Sequence, residues 1–211
     1  MGSILEQGFS FNQTQLGVDE LVEFEKDIAK EFEEGNIMSP VHLVGGNEEQ
    51  LIRIFQEVRL QDWVFSTYRS HYHALLKGLG REWLRQQILN GHSMHINSKE
   101  HKFFTSSIVG GCLPIALGVA MANKRDSKDE RVWVFVGDMA SEMGVMHETV
   151  NYAVGHDLQD YLTIVVEDNG SSVNTPTKEA WGKTSQHPSL VRSYKYEKAY
   201  PHQGTGTWVA F

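Results

Sequence analysis

The sequence predicts an α/β fold with a mostly parallel central sheet and helices on both faces. Two apolar runs, 132–136 and 162–166, are rich in β-branched and aromatic residues, and they lead into Gly137-Asp138 and Asp168-Asn169-Gly170. Short apolar runs bounded by turn residues are typical of buried strands in parallel sheets. Residues 142–155 predict the crossover helix between them. This βαβ unit places polar side chains at the carboxyl edge of a sheet, where ligands of open α/β folds bind.

Length and composition limit the class of protein. The chain has 211 residues, and we expect an N-terminal arm over residues 1–17 and a single domain over residues 18–211. A net charge of -8 argues against nucleic acid as the partner, because phosphate binding needs a basic surface. A single cysteine favours a reducing compartment, and there is neither an apolar run of membrane length nor a leader-like start. We therefore expect a cytoplasmic protein without a membrane partner.

Amphipathic helices are predicted before the βαβ unit. Apolar residues recur at spacings of three and four within residues 19–34, and Gly35-Asn36 ends that helix. A second helix begins at Asn47, with Gln50 at the reciprocal capping position. A third covers residues 80–90.

Residues 62–73 form an apolar stretch that ends in Tyr68, Arg69, His71 and His73. Two interpretations stay open from the residue types alone. The ring donors and the arginine suit contact with an anion or a cofactor. The same residues also suit an ordinary packed turn between a strand and a helix.

Residues 91–107 show no periodicity and predict a polar loop. The loop contains His92, His95 and His101, but their spacing matches no standard set of metal ligands and no second cysteine supports one. A metal site in this loop is therefore disfavoured.

Residues 109–122 are apolar and mostly small, so a helix over this range would be apolar on nearly every side. The pattern predicts a helix that is buried all round. Pro114 fits near its start, where the missing N–H costs nothing. Cys112 is predicted to be an inert buried thiol. After the βαβ unit, residues 170–177 predict a loop over a site, and residues 190–198 predict a strand.

Asp138 and Asn169 are predicted to lie together at neighbouring strand ends. A carboxylate and an amide oxygen suit Mg²⁺, which keeps its other positions for water, carbonyl and phosphate oxygens. The turn after Asp138 leads into a helix whose free N–H groups can accept an anion, so metal and turn together predict a diphosphate site. Either residue alone would be read as a helix cap or a turn residue.

The motifs around this pair resemble those of a known family. Gly137-Asp138 followed after about thirty residues by Asn169 resembles the thiamine-diphosphate motif, which begins Gly-Asp-Gly and ends Asn-Asn. Further matches are Phe65-Ser-Thr-Tyr-Arg-Ser-His71, Gly91-His-Ser-Met-His95, Ser107-Ile-Val-Gly110 and His147-Glu-Thr-Val-Asn151. Together they resemble the alpha subunit of the E1 component of 2-oxo-acid dehydrogenases over about residues 40–175.

The resemblance implies a role for each matching residue. Mg²⁺ would be held by Asp138, Asn169 and the carbonyl of Ser171. The cofactor thiamine diphosphate would be contacted by Tyr68, Arg69, Ser107, Val109, Gly137, Ala140 and Asn169. Two histidines would serve catalysis, His71 near the mouth of the site and His202 as the counterpart of the family's late histidine.

The sequence also departs from the family pattern. Met139 and Asp168 replace a glycine and an asparagine of the motif, and the chain is shorter than a usual alpha subunit. In the family a glutamate on a pyrimidine-binding domain activates the cofactor, and this chain is too short to add that domain. The resemblance therefore implies a beta-type partner in an α2β2 assembly.

Three functions follow from the resemblance. The first is decarboxylation of a 2-oxo acid and acyl transfer, with a lipoyl acyltransferase as a further partner. The second is a split transketolase-like or carboligating enzyme that acts on a sugar or aldehyde. The third is a non-catalytic cofactor-binding homologue.

Overall fold

A computed structural model of the chain describes residues 16–182 and 188–209, so most of the predicted arm lies outside the described residues. The helices are α1 Val18–Glu33, α2 Glu48–Phe55, α3 His71–Leu76, α4 Arg81–Leu89, α5 Cys112–Arg125, α6 Asp138–Ser141, α7 Gly144–Gly155 and α8 Thr177–Trp181. The strands are β1 Trp63–Ser66, β2 Phe103–Thr105, β3 Val132–Gly137, β4 Leu162–Asp168, β5 Ser171–Ser172, β6 Thr175–Pro176 and β7 Val191–Lys195.

The central sheet has five strands in the order β2-β1-β3-β4-β7, and every pairing is parallel. In the longest pairing, Val132 lies beside Leu162 and Gly137 beside Glu167. The carboxyl ends of β3 and β4 therefore meet at one edge. The predicted α/β fold with a parallel sheet is confirmed.

Helices cover both faces of this sheet. Side chains alternate along β3, so Trp133 and Phe135 pack into a core with α1 to α4. Val132, Val134 and Val136 point to the other face and pack with α5 and α7. Burial on both faces explains why the strand is apolar at every position rather than at alternate ones.

Two predicted elements differ from the structure. Strand β2 lies inside the predicted loop 91–107, and it escapes sequence reading because three residues are too few to show a pattern. Its pairing with β1, Val64 beside Phe103, is what defines it. The predicted crossover helix is present as α7, and residues 138–141, which were predicted as the turn before it, form the four-residue α6.

The prediction that α5 is buried all round is wrong. Its Ala116 and Ala120 are buried against the sheet, but Ile115 and Met121 on the opposite side are 44% and 39% exposed. Tyr152 and Val154 on the neighbouring α7 are also exposed. We call these four residues the α5–α7 face. Among the described residues, no helix is both long enough and apolar enough to cross a membrane.

Cys112 begins α5 and is buried, as predicted. Its thiol donates a hydrogen bond to the carbonyl oxygen of Ser66, 3.0 Å away. Burial raises the pKa of this thiol to about 12, so it stays protonated and unreactive at neutral pH.

Candidate functional site

A cavity lies at the carboxyl edge of the sheet and contains about 670 Å³ of empty space, including open solvent at its mouth. The segments that follow β1, β2, β3, β4 and β7 all contribute to its wall, because a parallel sheet brings these ends together. The predicted site residues that line it are Tyr68, Arg69, Val109, Gly137, Asp138, Ala140, Asn169, Ser171 and His202.

Asp138 is the first residue of α6 and is buried. Its Oδ2 accepts a hydrogen bond from the hydroxyl of Thr177, whose own N–H donates to the carbonyl oxygen of Gly170 at 3.0 Å. Burial raises the pKa of Asp138, and the charge of Asp168 adds to the rise, while the Thr177 hydrogen bond opposes it. Backbone N–H groups of Asp138 and Met139 also stabilise the carboxylate, so it caps the turn as well as facing the cavity.

The amide of Asn169 is held at both ends. Its Oδ1 accepts hydrogen bonds from the N–H and the hydroxyl of Ser171, at 3.2 and 3.3 Å. Its Nδ2 donates to the hydroxyl of Tyr196 at 3.2 Å. This orientation directs the oxygen of Asn169 to the same side as Ser171.

The donor set at this edge fits a hard cation that brings its own anions. The described residues contain no cluster of three or more His, Cys, Asp or Glu side chains able to hold a metal. Asp138 and Asn169 instead offer one carboxylate and one amide oxygen. Such a set leaves several positions for phosphate and water oxygens, as Mg²⁺ requires. A Cβ added to Gly137 meets open space, so there is room beside the strand end.

Arg69 ties the loop after β1 to two distant segments. Its Nε donates to the carbonyl oxygen of Leu43 at 3.1 Å and its Nη2 to that of His202 at 2.9 Å. The guanidinium also lies 5.7 Å from the ring centroid of Tyr68. Two of its three nitrogens are thus engaged by the protein.

His202 stands at the cavity as an uncharged ring at neutral pH. Burial lowers the pKa of His202, and the positive charges of Arg69 and Lys198 lower it further. A neutral imidazole can accept a proton, which is the state that a general base requires.

His71 is not brought to the cavity. The side chain is fully buried, with Nε2 2.9 Å from the hydroxyl of Ser93 and Nδ1 3.3 Å from Oε1 of Glu25 on α1. The expectation that His71 lies near the mouth is therefore not met. The reason is local, because α3 begins at His71 and directs the ring toward α1.

Ser107 lies beside the cavity rather than in its wall. Its hydroxyl is 3.2 Å from Nε2 of His95, while the neighbouring Ser106 and Ile108 line the cavity.

The cavity residues that were not predicted as site residues include three with functional side chains, Glu167, Tyr196 and Lys198. Glu167 is buried, and its Oε1 lies 2.5 Å from the hydroxyl of Tyr194 and 3.3 Å from Nδ2 of Asn47. Glu167 could have been predicted as a site residue, because it comes directly before Asp168-Asn169 at the end of β4. Tyr196 and Lys198 follow the edge strand and carry no such signal, because only tertiary structure brings them to the site.

A model of the family described as "Dehydrogenase E1 component" matches residues 17–189. The alpha subunit of acetoin:2,6-dichlorophenolindophenol oxidoreductase from Cupriavidus necator is 30% identical over 163 residues, which cover 72% of this chain and 48% of that protein. The corresponding subunit from Bacillus subtilis is 29% identical over 167 residues, 74% of this chain and 50% of that protein. Pyruvate dehydrogenase E1 component subunit alpha-3, chloroplastic, from Arabidopsis thaliana is 30% identical over 162 residues, which cover 69% of this chain and 37% of that protein. The chain thus spans about half the length of these relatives, or less.

Proposed function

The chain belongs to the dehydrogenase E1 component family, and we propose that it is the thiamine-diphosphate-binding, alpha-type part of an enzyme that decarboxylates a 2-oxo acid and transfers the acyl group. The observation that carries this proposal is the shared cavity of Asp138, Asn169 and Arg69 at the sheet edge, inside the matched residues. When bound, thiamine diphosphate supplies the nucleophilic carbon for decarboxylation, and the protein binds and orients it.

We assign the diphosphate end of the cofactor to the β3 and β4 edge. Asp138, Asn169 and the carbonyl of Ser171 would hold Mg²⁺, and the backbone at Ala140 would meet a phosphate. Tyr68 and Arg69 would contact phosphate oxygens from the other side. Arg69 is suited to this because, among the described residues, its Nη1 donates to no protein oxygen and still presents N–H groups.

The ring end of the cofactor would lie toward the loop after β2. Val109 lines the cavity there, and Ser107 lies next to it, so their backbone groups are available to an aminopyrimidine. His202 would accept or return a proton near the substrate, for which its lowered pKa is favourable.

A beta-type partner is part of this proposal, because the relatives are named as alpha subunits. The α5–α7 face supports it, since exposed apolar surface on a folded chain marks an interaction site. Ile108 and Val109, which are 72% and 47% exposed, extend apolar surface to the cavity itself. The partner would therefore cover the cavity and deliver the activating glutamate, in an α2β2 assembly.

Co-expression with the product of the adjacent reading frame tests the function. We expect the purified complex to reduce 2,6-dichlorophenolindophenol when given a 2-oxo acid, thiamine diphosphate and Mg²⁺, and Asp138→Asn to abolish this. Activity with ketoses alone would overturn the assignment in favour of a transketolase-like enzyme, which the comparisons do not favour. Absence of turnover by a complex that binds the cofactor would indicate the non-catalytic homologue. Full turnover by the chain alone would refute the need for a partner.

A further inference from the structure

Lys198 lies on a segment that is fixed by backbone hydrogen bonds before and after it. The N–H of Tyr196 donates to the carbonyl oxygen of Asp168 at 3.0 Å, which continues the pairing of β7 with β4. The N–H of Ala199 donates to the carbonyl oxygen of Val44 at 3.1 Å. Lys198 is therefore held between the edge of the sheet and the loop that precedes α2.

A close approach of two chain segments fixes the same position. Gly46 has a φ of +94°, and a Cβ built on it would lie 2.0 Å from the carbonyl oxygen of Glu197. Only glycine permits this contact. The backbone that carries Lys198 thus has little freedom to withdraw from the cavity.

The side chain of Lys198 lines the cavity together with Asp138, Asn169 and Arg69. Within the described ranges, no hydrogen bond or ion pair to another residue ends on its ammonium group. Burial lowers the pKa of Lys198 and the charge of Arg69 lowers it further, while Asp138 partly opposes them. A partly buried cation at a cavity wall that binds no described residue is available to a ligand of opposite charge.

The other charged side chains at this edge do not by themselves balance the charge of an added diphosphate. Two nitrogens of Arg69 are engaged by the carbonyl oxygens of Leu43 and His202, so this cation is only partly available. Asp168, which stands where the family motif has asparagine, adds a negative charge near Asp138. Asp168 forms an ion pair with Lys195, whose Nζ lies 3.8 Å from Oδ2 and whose side chain is 87% exposed. A diphosphate brought beside these carboxylates needs a further cation on the cavity side.

We propose that Lys198 binds the diphosphate group of the cofactor directly, as a second cation beside Arg69 that offsets the extra negative charge of Asp168. This inference rests on the proposed function, because it takes thiamine diphosphate as the ligand. It assigns a binding role to a residue outside the motifs that resemble the family.

Isothermal titration calorimetry of the full 211-residue chain with thiamine diphosphate in excess Mg²⁺ tests the role. We expect Lys198→Met to weaken binding roughly 10- to 100-fold, the range expected for loss of one charge-assisted hydrogen bond. Lys198→Arg keeps the charge and should retain most of the affinity. Lys128→Met is the matched control, because it removes the same charge from an exposed side chain near the amino ends of β3 and β4, at the opposite edge of the sheet. Circular dichroism of each variant verifies the fold.

The outcomes separate this inference from the proposed function. Binding by the unaltered chain with equal affinity for Lys198→Met would overturn the role of Lys198 and leave the proposed function intact. An equal loss for Lys128→Met would also overturn it, since the effect would then reflect net charge alone. Failure of the unaltered chain to bind thiamine diphosphate, alone and with its partner, would overturn the proposed function itself and with it the premise of this role.

Discussion

The hydroxyl of Thr177 donates a hydrogen bond to Oδ2 of Asp138, and both side chains are buried. This contact joins the first residue of α8 to the first residue of α6 across 39 positions of the chain. The hydrogen bond thereby fixes the end of the β5–β6 hairpin next to Asp138, the carboxylate that we propose as a Mg²⁺ ligand. Thr177 would orient the Asp138 carboxylate through this hydrogen bond, as groups next to metal ligands commonly do.

We predict that Thr177→Val weakens Mg²⁺-dependent binding of thiamine diphosphate roughly 10- to 100-fold, because Asp138 loses the group that orients it. Titration calorimetry at fixed cofactor and varied Mg²⁺ measures this. Thr175→Val is the control, since Thr175 is exposed on β6. Equal affinity for both variants would show that the hydrogen bond does not position the carboxylate.

The burial of Lys77 predicts that the free energy of unfolding depends on pH. It is buried and donates to the carbonyl oxygens of Arg59 and Leu60, at 2.9 and 3.0 Å, and burial lowers its pKa to about 8. Between that value and the ordinary pKa of about 10.4, the unfolded chain binds more protons than the folded chain. The free energy of unfolding contributed by Lys77 must therefore rise with pH across this window, by up to about 1.4 kcal/mol per unit, and be lost as pH falls.

Urea unfolding of the unaltered chain and of Lys77→Met at several pH values measures this contribution. The difference between their free energies of unfolding should grow in favour of the unaltered chain as pH rises. Lys26→Met, on the exposed side of α1, should show no such trend. A pH-independent difference for Lys77→Met would contradict the assignment.

Gly46→Ala should impair both folding and cofactor binding. The new methyl group would collide with the carbonyl oxygen of Glu197 and displace the segment that carries Lys198. Gly35→Ala is a matched control, because Gly35 also has a positive φ, +77°, but has no atom within 4 Å of the added Cβ. The control should lose only the roughly 1–2 kcal/mol of left-handed strain and keep its affinity for thiamine diphosphate. Thermal unfolding and calorimetry together distinguish the two variants, and equal behaviour would refute the argument.

Ile115→Glu should prevent assembly with the partner while leaving the chain folded. Ile115 lies on the α5–α7 face, so a charge there is tolerated in solvent but not in an apolar interface. Leu60→Glu replaces another exposed apolar residue, 50% exposed, away from that face. Light scattering after size-exclusion chromatography of each co-expressed pair gives the assembly state. Normal assembly of Ile115→Glu would exclude the α5–α7 face as the contact.

Sequence patterns predict the parts of the fold that burial dictates. The β3 run is apolar at every position and the β4 run at every position except Thr163, because both faces of the sheet are covered. The exposure of Ile115 could not be predicted in this way. An exposed apolar side chain gives the same sequence pattern as a buried one, so the apolar α5 resembles a buried helix until its neighbours are known.

Sequence patterns also predict some residues of the candidate site and not others. Asp138 and Asn169 follow directly from strand ends, and the structure places both in the cavity. His71 is only two residues beyond Arg69, yet a helix turns by 3.6 residues per revolution and its first turn directs His71 the other way. Thr177 and Lys198 reach the site from distant parts of the chain, so no local spacing identifies them.

The hydrogen bond from Arg69 to the carbonyl oxygen of His202 spans 133 positions of the chain, and it has a consequence for the order of assembly during translation. A nascent chain that has emerged only as far as the turn after β4 already contains Asp138, Asn169 and Arg69. It lacks the segment that carries Lys198 and holds the arginine in place. If thiamine diphosphate binds as proposed, we expect its loading to follow the emergence of the segment from β7 to His202, because Arg69 and Lys198 are not in place before that moment.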